Sequence, residues 1–203
     1  MDVKTAKRRL RKRIWTKLEA DGAARFPLPC FGRIPNFSGS EKAVDKVRRL
    51  TEWKSARVVF ASPDYTQQKI REYALLDGKL LVMASPKLKS GYIIVDPKEA
   101  KGFEGHASTI RGAFKYGKSV TAQEILRPDL IVGGGRLPLT LMGNRLGKGR
   151  GYGDREINVL KKVFGGIPVI TSVHDLQVVN SVPLEAKDEK VSVIVTPTRV
   201  IYC

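Results

Sequence analysis

The sequence predicts one α/β domain over residues 1–203, built on a mostly parallel sheet with helices on both faces. Short apolar runs alternate with amphipathic stretches, and short turns separate them. Strands that alternate with helices in this way usually pair in parallel and are buried on both faces. A chain of 203 residues is within the range of a single core.

A long helix is predicted first, over residues 3–20, because Leu10, Ile14 and Leu18 recur at helical spacing with Trp15 beside them. The opposite side is basic, which is typical of a solvated face, and carries Lys4, Lys7, Arg8, Arg11 and Lys12. Extended coil is expected for FPLPCFGRIPNFSGS, which contains three prolines. A second helix is expected to begin with Ser40 as its N-cap.

The remaining elements alternate along the chain. Strands are predicted at 57–61, 79–83, 129–132 and 167–173, and helices at 66–76 and 155–164. We expect Asp77-Gly78 and Gly165-Gly166 to close the two helices, because glycine readily adopts the left-handed conformation found there. Alternating valines at 191, 193 and 195 predict one or two more strands. Ligands of such sheets lie at the loops that follow the strands.

The charge is strongly positive, with 37 Lys and Arg against 20 Asp and Glu, which gives +17 at pH 7. Such a field attracts polyanions, whether nucleic acid, a nucleoside triphosphate or a polyglutamate tail. Cys30 and Cys203 supply neither a disulfide framework nor a cysteine zinc site, which fits a reducing compartment. No apolar run approaches the ~20 residues of a membrane span. We therefore expect a soluble, cytoplasmic monomer.

The stretch GNRLGKGRGYGD, residues 143–154, concentrates glycines and cations after the strand at 129–132. It matches neither the Walker pattern nor the dinucleotide-binding GxGxxG pattern. Its alternating glycines still allow backbone N–H groups to surround an anion, and Lys148 and Arg150 add charge. The helix predicted after Asp154 would contribute its positive N-terminus. The Asp154 carboxylate is the kind of ligand that Mg²⁺ takes together with phosphate oxygens.

Two other interpretations fit the same stretch. A flexible glycine loop could carry basic residues only for solubility. An RNA contact is the second alternative, because Arg and Gly interleave with a stackable Tyr152. The spacing leaves all three interpretations open.

GNRLGKGRGYGD resembles the signature G-x-R-L-G-x-G-x-G-Y-Y-D of the 5-formyltetrahydrofolate cyclo-ligase family. KRRLR at 7–11, the segment from Asp64 to Lys79, and the segment from Val182 through Asp188 to Pro197 also resemble family patterns. GRIPNF at 32–37 and SVHDLQVV at 172–179 resemble the branch of methenyltetrahydrofolate synthetase domain-containing proteins. These segments extend from one end of the chain to the other.

The resemblance implies a three-layer α/β/α sandwich with a mostly parallel sheet. It implies a ligase that uses ATP and Mg²⁺ to convert 5-formyltetrahydrofolate to 5,10-methenyltetrahydrofolate, releasing ADP and phosphate. The formyl oxygen would take the γ-phosphoryl group before N10 closes the ring, which calls for positioning and charge stabilisation. The alternatives are the same chemistry on a related pterin, and an RNA-binding protein on this fold without ligase activity.

The resemblance also implies roles for individual residues. ATP would be held by Lys7, Arg11, Arg145, Gly147, Lys148, Gly149, Arg150 and Gly151. Catalysis would depend on Lys148, Arg150 and Tyr152, the substrate would contact Asp64 and Tyr152, and Mg²⁺ would lie at Asp154 and Asp188. The sequence departs from the family pattern at two positions: Gly153 replaces a second tyrosine, and Ser192 replaces an acid. His174 is interpreted as structural, with Asp175 capping a helix.

Overall fold

The computed structural model describes residues 2–86, 91–133, 137–147, 152–185 and 188–203, with the backbone alone at 137 and 152–157. The helices are α1 Val3–Ala20, α2 Ser40–Arg49, α3 Thr51–Ser55, α4 Gln68–Leu76, α5 Glu104–Ala107, α6 Ile110–Tyr116 and α7 Tyr152–Phe164. The strands are β1 Ala24–Arg25, β2 Asn36–Phe37, β3 Val58–Ala61, β4 Leu80–Ala84, β5 Tyr92–Val95, β6 Lys118–Val120, β7 Leu130–Gly133, β8 Leu137–Leu139, β9 Arg145–Leu146, β10 Val169–Ser172, β11 Val193–Val195 and β12 Val200–Tyr202. Short 3₁₀ turns lie at Tyr65–Gln67 and Asp175–Gln177.

The main sheet has the strand order β12-β11-β10-β7-β3-β4-β5-β6. Its five central strands, from β11 to β4, pair in parallel. The edge strands β12, β5 and β6 pair antiparallel. The mostly parallel sheet expected from the sequence is therefore confirmed, with antiparallel strands added at both edges.

Alternate residues of the central strands contribute to two separate cores. Val59 and Leu81 enter a core with helices α2 to α6, whereas Phe60 and Val82 enter a second core that includes Leu160 of α7. Because successive side chains of a strand point to opposite faces, both faces of the sheet are covered. The three-layer α/β/α arrangement is confirmed. In the described residues, no helix is both long enough and apolar enough to cross a membrane.

Helix α1 has the predicted bounds but not the predicted faces. Asp2 caps it by accepting a hydrogen bond from the Thr5 N–H at 3.0 Å. Lys7 is buried on the same side as Ile14 and Leu18, so its assignment to the solvated face is wrong. The spacing of these residues explains the shared face, since residues seven and eleven positions apart lie within one stripe of a helix.

Three predicted helix starts shift by a few residues. Ser40 is the first residue of α2, and its N-cap is Gly39 in the left-handed conformation. A 3₁₀ turn precedes α4, so the helix predicted at 66–76 begins at Gln68. Helix α7 begins at Tyr152, three residues earlier than predicted. Helix ends depend on caps and turns, which sequence periodicity locates poorly.

Candidate active site

The carboxyl edge of the sheet contains a point where the strand order reverses. From β3 the chain places β4 on one side, and later places β7, β10 and β11 on the other. Ligands of open α/β sheets bind outside the strand ends at such a point. Here β3 ends in the turn Ser62–Asp64 beside the end of β7, since the Ser62 N–H donates to the Val132 carbonyl at 3.2 Å.

Lys7 connects the N-terminal helix to the C-terminal segment. Its Nζ donates to Asp188 Oδ2 at 2.6 Å and to Glu185 Oε2 at 2.8 Å. Asp188 Oδ2 also accepts the Glu185 N–H at 2.8 Å, which fixes the turn that carries both acids. The lysine side chain is 7% exposed and that of Asp188 is 11% exposed, so solvent screens this pair little.

The same contacts set the protonation of Lys7. Burial lowers the pKa of its ammonium, but the hydrogen bonds and charges of Asp188 and Glu185 outweigh burial and raise the pKa above its ordinary value. Lys7 therefore carries a full positive charge at neutral pH, inside the protein and beside two carboxylates.

Arg11 lies one helical turn after Lys7 and contacts the glycine-rich stretch. Its Nε donates to the Gly147 carbonyl at 2.7 Å. Residues four apart on a helix are neighbours on one face, so both cations point to the same side of α1. One residue predicted to hold ATP, Arg11, thus contacts another, Gly147, at the start of the loop.

Arg145 and Gly143 fix the base of this loop. Arg145 is buried, and its Nε donates to the Glu189 carbonyl at 2.6 Å. The Glu189 carboxylate accepts from Lys161 of α7 at 2.6 Å. Gly143 has φ +75°, and a Cβ there would collide with the Val191 carbonyl oxygen. The loop is therefore anchored to α7 and to the segment that carries Asp188.

Several predicted site residues lie outside the described part of the chain. These are Lys148, Gly149, Arg150 and Gly151. Tyr152 and Asp154 are described by backbone alone, as the first and third residues of α7. The start of α7 directly after the loop places a helix N-terminus, with its partial positive charge, at residue 152.

Asp64 lies in the turn after β3, and a buried arginine holds that turn. Arg71 Nη1 donates to the carbonyls of Ser62 at 2.5 Å and Asp64 at 3.0 Å, and its Nε donates to the Ser108 carbonyl at 2.7 Å. Burial lowers the pKa of the Arg71 guanidinium to about 10, opposed by the nearby Asp64 charge. The guanidinium remains protonated at neutral pH and fixes the backbone on both sides of Pro63.

His174 has a structural role, as expected, but the expected cap is wrong. His174 itself caps the 3₁₀ turn Asp175–Gln177, since its Nδ1 accepts the Leu176 N–H at 3.2 Å. The Asp175 carboxylate instead accepts from Thr196 at 2.7 Å and Thr198 at 2.6 Å. Burial lowers the pKa of His174, which favours the neutral ring that this cap requires.

Glu185 and Arg71 were not among the residues selected from the sequence. Glu185 lies three residues before Asp188 in a segment rich in charged residues, so nothing in the sequence distinguished it as a partner of Lys7. Arg71 lies on an amphipathic helix, where an arginine is ordinarily solvated. Among the described residues, no group of three or more His, Cys, Asp or Glu is arranged to hold a metal ion.

The fold and these contacts define an α/β protein whose N-terminal helix brings two cations to the glycine-rich stretch and to the C-terminal segment. The sequence model of the 5-formyltetrahydrofolate cyclo-ligase family matches residues 3–197. The chain therefore belongs to that family, whose activity is that of a ligase.

Relatives and solved structures agree with this membership. Methenyltetrahydrofolate synthase domain-containing proteins of Bos taurus and Homo sapiens are 36% and 33% identical to it, over 97% and 98% of this chain. The chain spans about half of their length, 53% and 54%. The fold is similar to 5,10-methenyltetrahydrofolate synthetases of Aquifex aeolicus and Mycoplasma pneumoniae, with TM-scores of 0.58 and 0.56 and identities of 22% and 15%. These alignments cover 97% and 94% of this chain, and 92% and 98% of the solved chains.

Proposed function

We propose that this chain binds ATP with Mg²⁺ and converts 5-formyltetrahydrofolate to 5,10-methenyltetrahydrofolate, with ADP and phosphate as the other products. The observation that carries the proposal is the convergence of Lys7 and Arg11 on Asp188 and Gly147. Three distant segments meet there, and each contains residues that match the family pattern for ATP or Mg²⁺.

The described residues fit a polyphosphate. Arg11 contacts Gly147 of the glycine-rich stretch, and guanidinium groups bind phosphate oxygens strongly. The start of α7 adds a helix N-terminus, and the loop between them supplies Lys148 and Arg150. In this proposal, these cations orient the triphosphate and stabilise the charge that develops during phosphoryl transfer.

The acids fit a metal ion less directly. The Lys7 ammonium lies where a cation would lie between Asp188 and Glu185. Asp188 can contribute to Mg²⁺ if Lys7 turns toward a phosphate, so the two residues would exchange partners on ATP binding. Mg²⁺ takes one or two carboxylates together with phosphate oxygens, which Asp188 and Asp154 would provide. Once bound, the ion would neutralise phosphate charge.

The folate would bind at the carboxyl edge of the sheet, at the turn after β3. Asp64 is half-buried there, and Arg71 fixes its backbone. A carboxylate accepts hydrogen bonds from the N–H groups of a pterin, so Asp64 would orient the ring. Reduced folates and related pterins share those groups, so Asp64 alone does not separate them.

Turnover tests the proposal. Purified protein is mixed with 5-formyltetrahydrofolate, and the methenyl product is followed by absorbance with and without ATP and with and without Mg²⁺. We expect product only when both are present. Lys148→Ala and Arg150→Ala should each weaken ATP binding by about 1.5–3 kcal/mol, the value of a charge-assisted contact. Failure to turn over any reduced folate at saturating ATP would exclude the activity.

A second candidate function is RNA binding, and the exposed side of α1 favours it. Six cations there are exposed: Lys4, Arg8, Arg9, Lys12, Arg13 and Lys17. A basic stripe on one helix is the electrostatic pattern of a phosphate-backbone contact. These six cations are exposed, whereas Lys7 is buried and Arg11 is half-buried, so RNA and ATP binding would be separable.

Salt dependence distinguishes a true RNA contact from a solubilising surface. The logarithm of affinity for a single strand falls by about 0.7 per log unit of salt for each phosphate neutralised. Replacing Lys4, Arg8 and Lys12 together by alanine should flatten that slope and leave ATP affinity unchanged. No binding of single-stranded RNA at low salt would exclude this function.

A further inference from the structure

Exposed aromatic side chains lie on the loop that follows β1 and on the 3₁₀ turn that follows β3. On the loop, Phe26 is 68% exposed and Phe31 39%, and on the turn Tyr65 is 48% exposed. They form edge-to-face or tilted pairs, with Phe26 against Tyr65 at 5.5 Å between centroids and Trp15 against Phe31 at 5.8 Å. Rings that contact each other while exposed to water form an apolar surface, and such surfaces mark binding sites. We call Trp15, Phe26, Phe31 and Tyr65 the aromatic wall.

Two hydrogen bonds hold the loop of the aromatic wall in place, one to α1 and one to the turn that contains Asp64. At one end, Trp15 Nε1 donates to the Arg33 carbonyl at 3.1 Å. Trp15 lies four residues after Arg11 on α1, so it continues the helix face that contacts the glycine loop. At the other end, Thr66 Oγ1 donates to the Pro35 carbonyl at 3.1 Å, which holds the same loop against the turn at Asp64.

Tyr65 adjoins the acid that the proposed function uses. It directly follows Asp64, and Phe26 contacts its ring. The Asn36 side chain fixes Phe26 by donating to its carbonyl at 3.0 Å. A carboxylate beside two exposed rings combines an acceptor for N–H groups with a surface for a flat ring. This is the pairing by which proteins hold heteroaromatic ligands.

We propose that Phe26 and Tyr65 bind the flat pterin or aminobenzoyl group of the folate, and that the aromatic wall sets specificity for it. This inference rests on the proposed function. It also accounts for Gly153, since the family pattern has a tyrosine at that position and this chain has no ring there. The aromatic wall provides a ring surface from a different segment.

Direct binding without ATP tests the inference. Titration calorimetry with 5-formyltetrahydrofolate compares wild type with Phe26→Ala and Tyr65→Ala. Each substitution should raise the folate Kd about tenfold, within the range found for loss of a stacked ring, and leave the ATP Kd unchanged. Tyr65→Phe keeps the ring and should bind as wild type does.

Phe103→Ala is the matched control. Phe103 is 57% exposed and stacks on Tyr116 at 5.4 Å, so it too is an exposed ring in an aromatic pair, outside the loop at 26–37. Its loss should leave folate affinity unchanged. Circular dichroism and urea unfolding check that every variant is folded.

The outcomes separate the inference from the function on which it rests. Wild type that does not bind the folate contradicts the proposed function, and the aromatic wall then loses its ligand. If wild type binds the folate and the Phe26→Ala and Tyr65→Ala variants bind it with equal affinity, the role of the aromatic wall is overturned and the proposed function is not. An equal loss in Phe103→Ala would also overturn it, because the effect would not depend on position.

Discussion

Lys7 and Asp188 are separated by 181 positions in the sequence, yet their Nζ and Oδ2 atoms lie 2.6 Å apart. The contact closes α1 over the segment that precedes β11. Because Asp188 also accepts the Glu185 N–H, the lysine binds an acid whose position the turn already fixes. Preorganised acids of this kind strengthen a charge-assisted hydrogen bond.

Removing the Lys7 ammonium should destabilise the fold. Lys7→Met leaves Asp188 and Glu185 without their cation, and we expect a loss of about 1–3 kcal/mol in the free energy of unfolding. Urea denaturation measures it, with Lys4→Met as the exposed control on the same helix. The pKa of Lys7 is raised above 10.5, so this stabilisation is complete below that pH. This stabilisation should be lost as the pH rises through the folded-state pKa. Equal free energies of unfolding for wild type and Lys7→Met at pH 8 would contradict a stabilising role for the Lys7 ammonium.

Arg11→Ala should weaken ATP binding about tenfold, because it removes a cation held at the base of the glycine loop. Arg8→Ala removes the same charge from the exposed side of α1 and should have little effect. Isothermal titration with Mg·ATP gives both values. Equal losses of ATP affinity in the two variants would show that net charge, rather than the contact with Gly147, determines the effect.

The metal prediction compares two acids. If Asp154 binds Mg²⁺ with the phosphates, Asp154→Asn should abolish the Mg²⁺ dependence of ATP binding and leave the fold intact. Asp188→Asn should reduce that dependence and also lower stability, because it weakens the pair with Lys7. ATP titrations at several Mg²⁺ concentrations, with urea unfolding of each variant, separate the two effects. An unchanged Mg²⁺ dependence in Asp154→Asn removes that residue from the site.

The two cysteines should differ in reactivity. Cys30 is fully buried, and burial, followed by the neighbouring Glu19, raises the pKa of its thiol to about 12. Cys203 is exposed. Because the thiolate is the reactive form, an aromatic disulfide reagent should label one thiol in the native protein and two in urea. Cys203→Ser should label only after unfolding, and native labelling of that variant would contradict the packing of Cys30 beneath α1.

The central strands could be predicted because a strand covered on both faces reads as a continuous apolar run. Strand β5 was missed although its YIIV run, bounded by Gly91 and Pro97, has that same pattern. Strand β6 has little signal, since two of its three residues, Lys118 and Ser119, are exposed. An edge strand has only one neighbour and tolerates polar residues, so its sequence constrains it weakly.

The site was only partly predictable. Periodicity placed Lys7 and Arg11 on one helix face, but it could not show that this face packs against the C-terminal segment. Lys7 is buried because two carboxylates about 180 residues away compensate its charge, and a local sequence window does not contain them. The role of Arg71 was not predicted for the same reason, because its three acceptors are backbone carbonyls that only the fold brings together.

Gly153 is the position where this chain and the family pattern disagree most clearly, and the fold makes the substitution testable. Gly153 is the second residue of α7, so its backbone is right-handed helical and a tyrosine there meets no penalty for positive φ. We expect Gly153→Tyr to lower the KM for 5-formyltetrahydrofolate and to leave the KM for ATP unchanged, because it adds one ring to the site. Gly153→Ala also replaces the helical glycine with a better helix former but adds no ring, and it is the control. Steady-state kinetics with each substrate varied gives both constants. If Tyr and Ala variants behave alike, stacking at this position does not limit folate binding, and the rings of the aromatic wall already suffice.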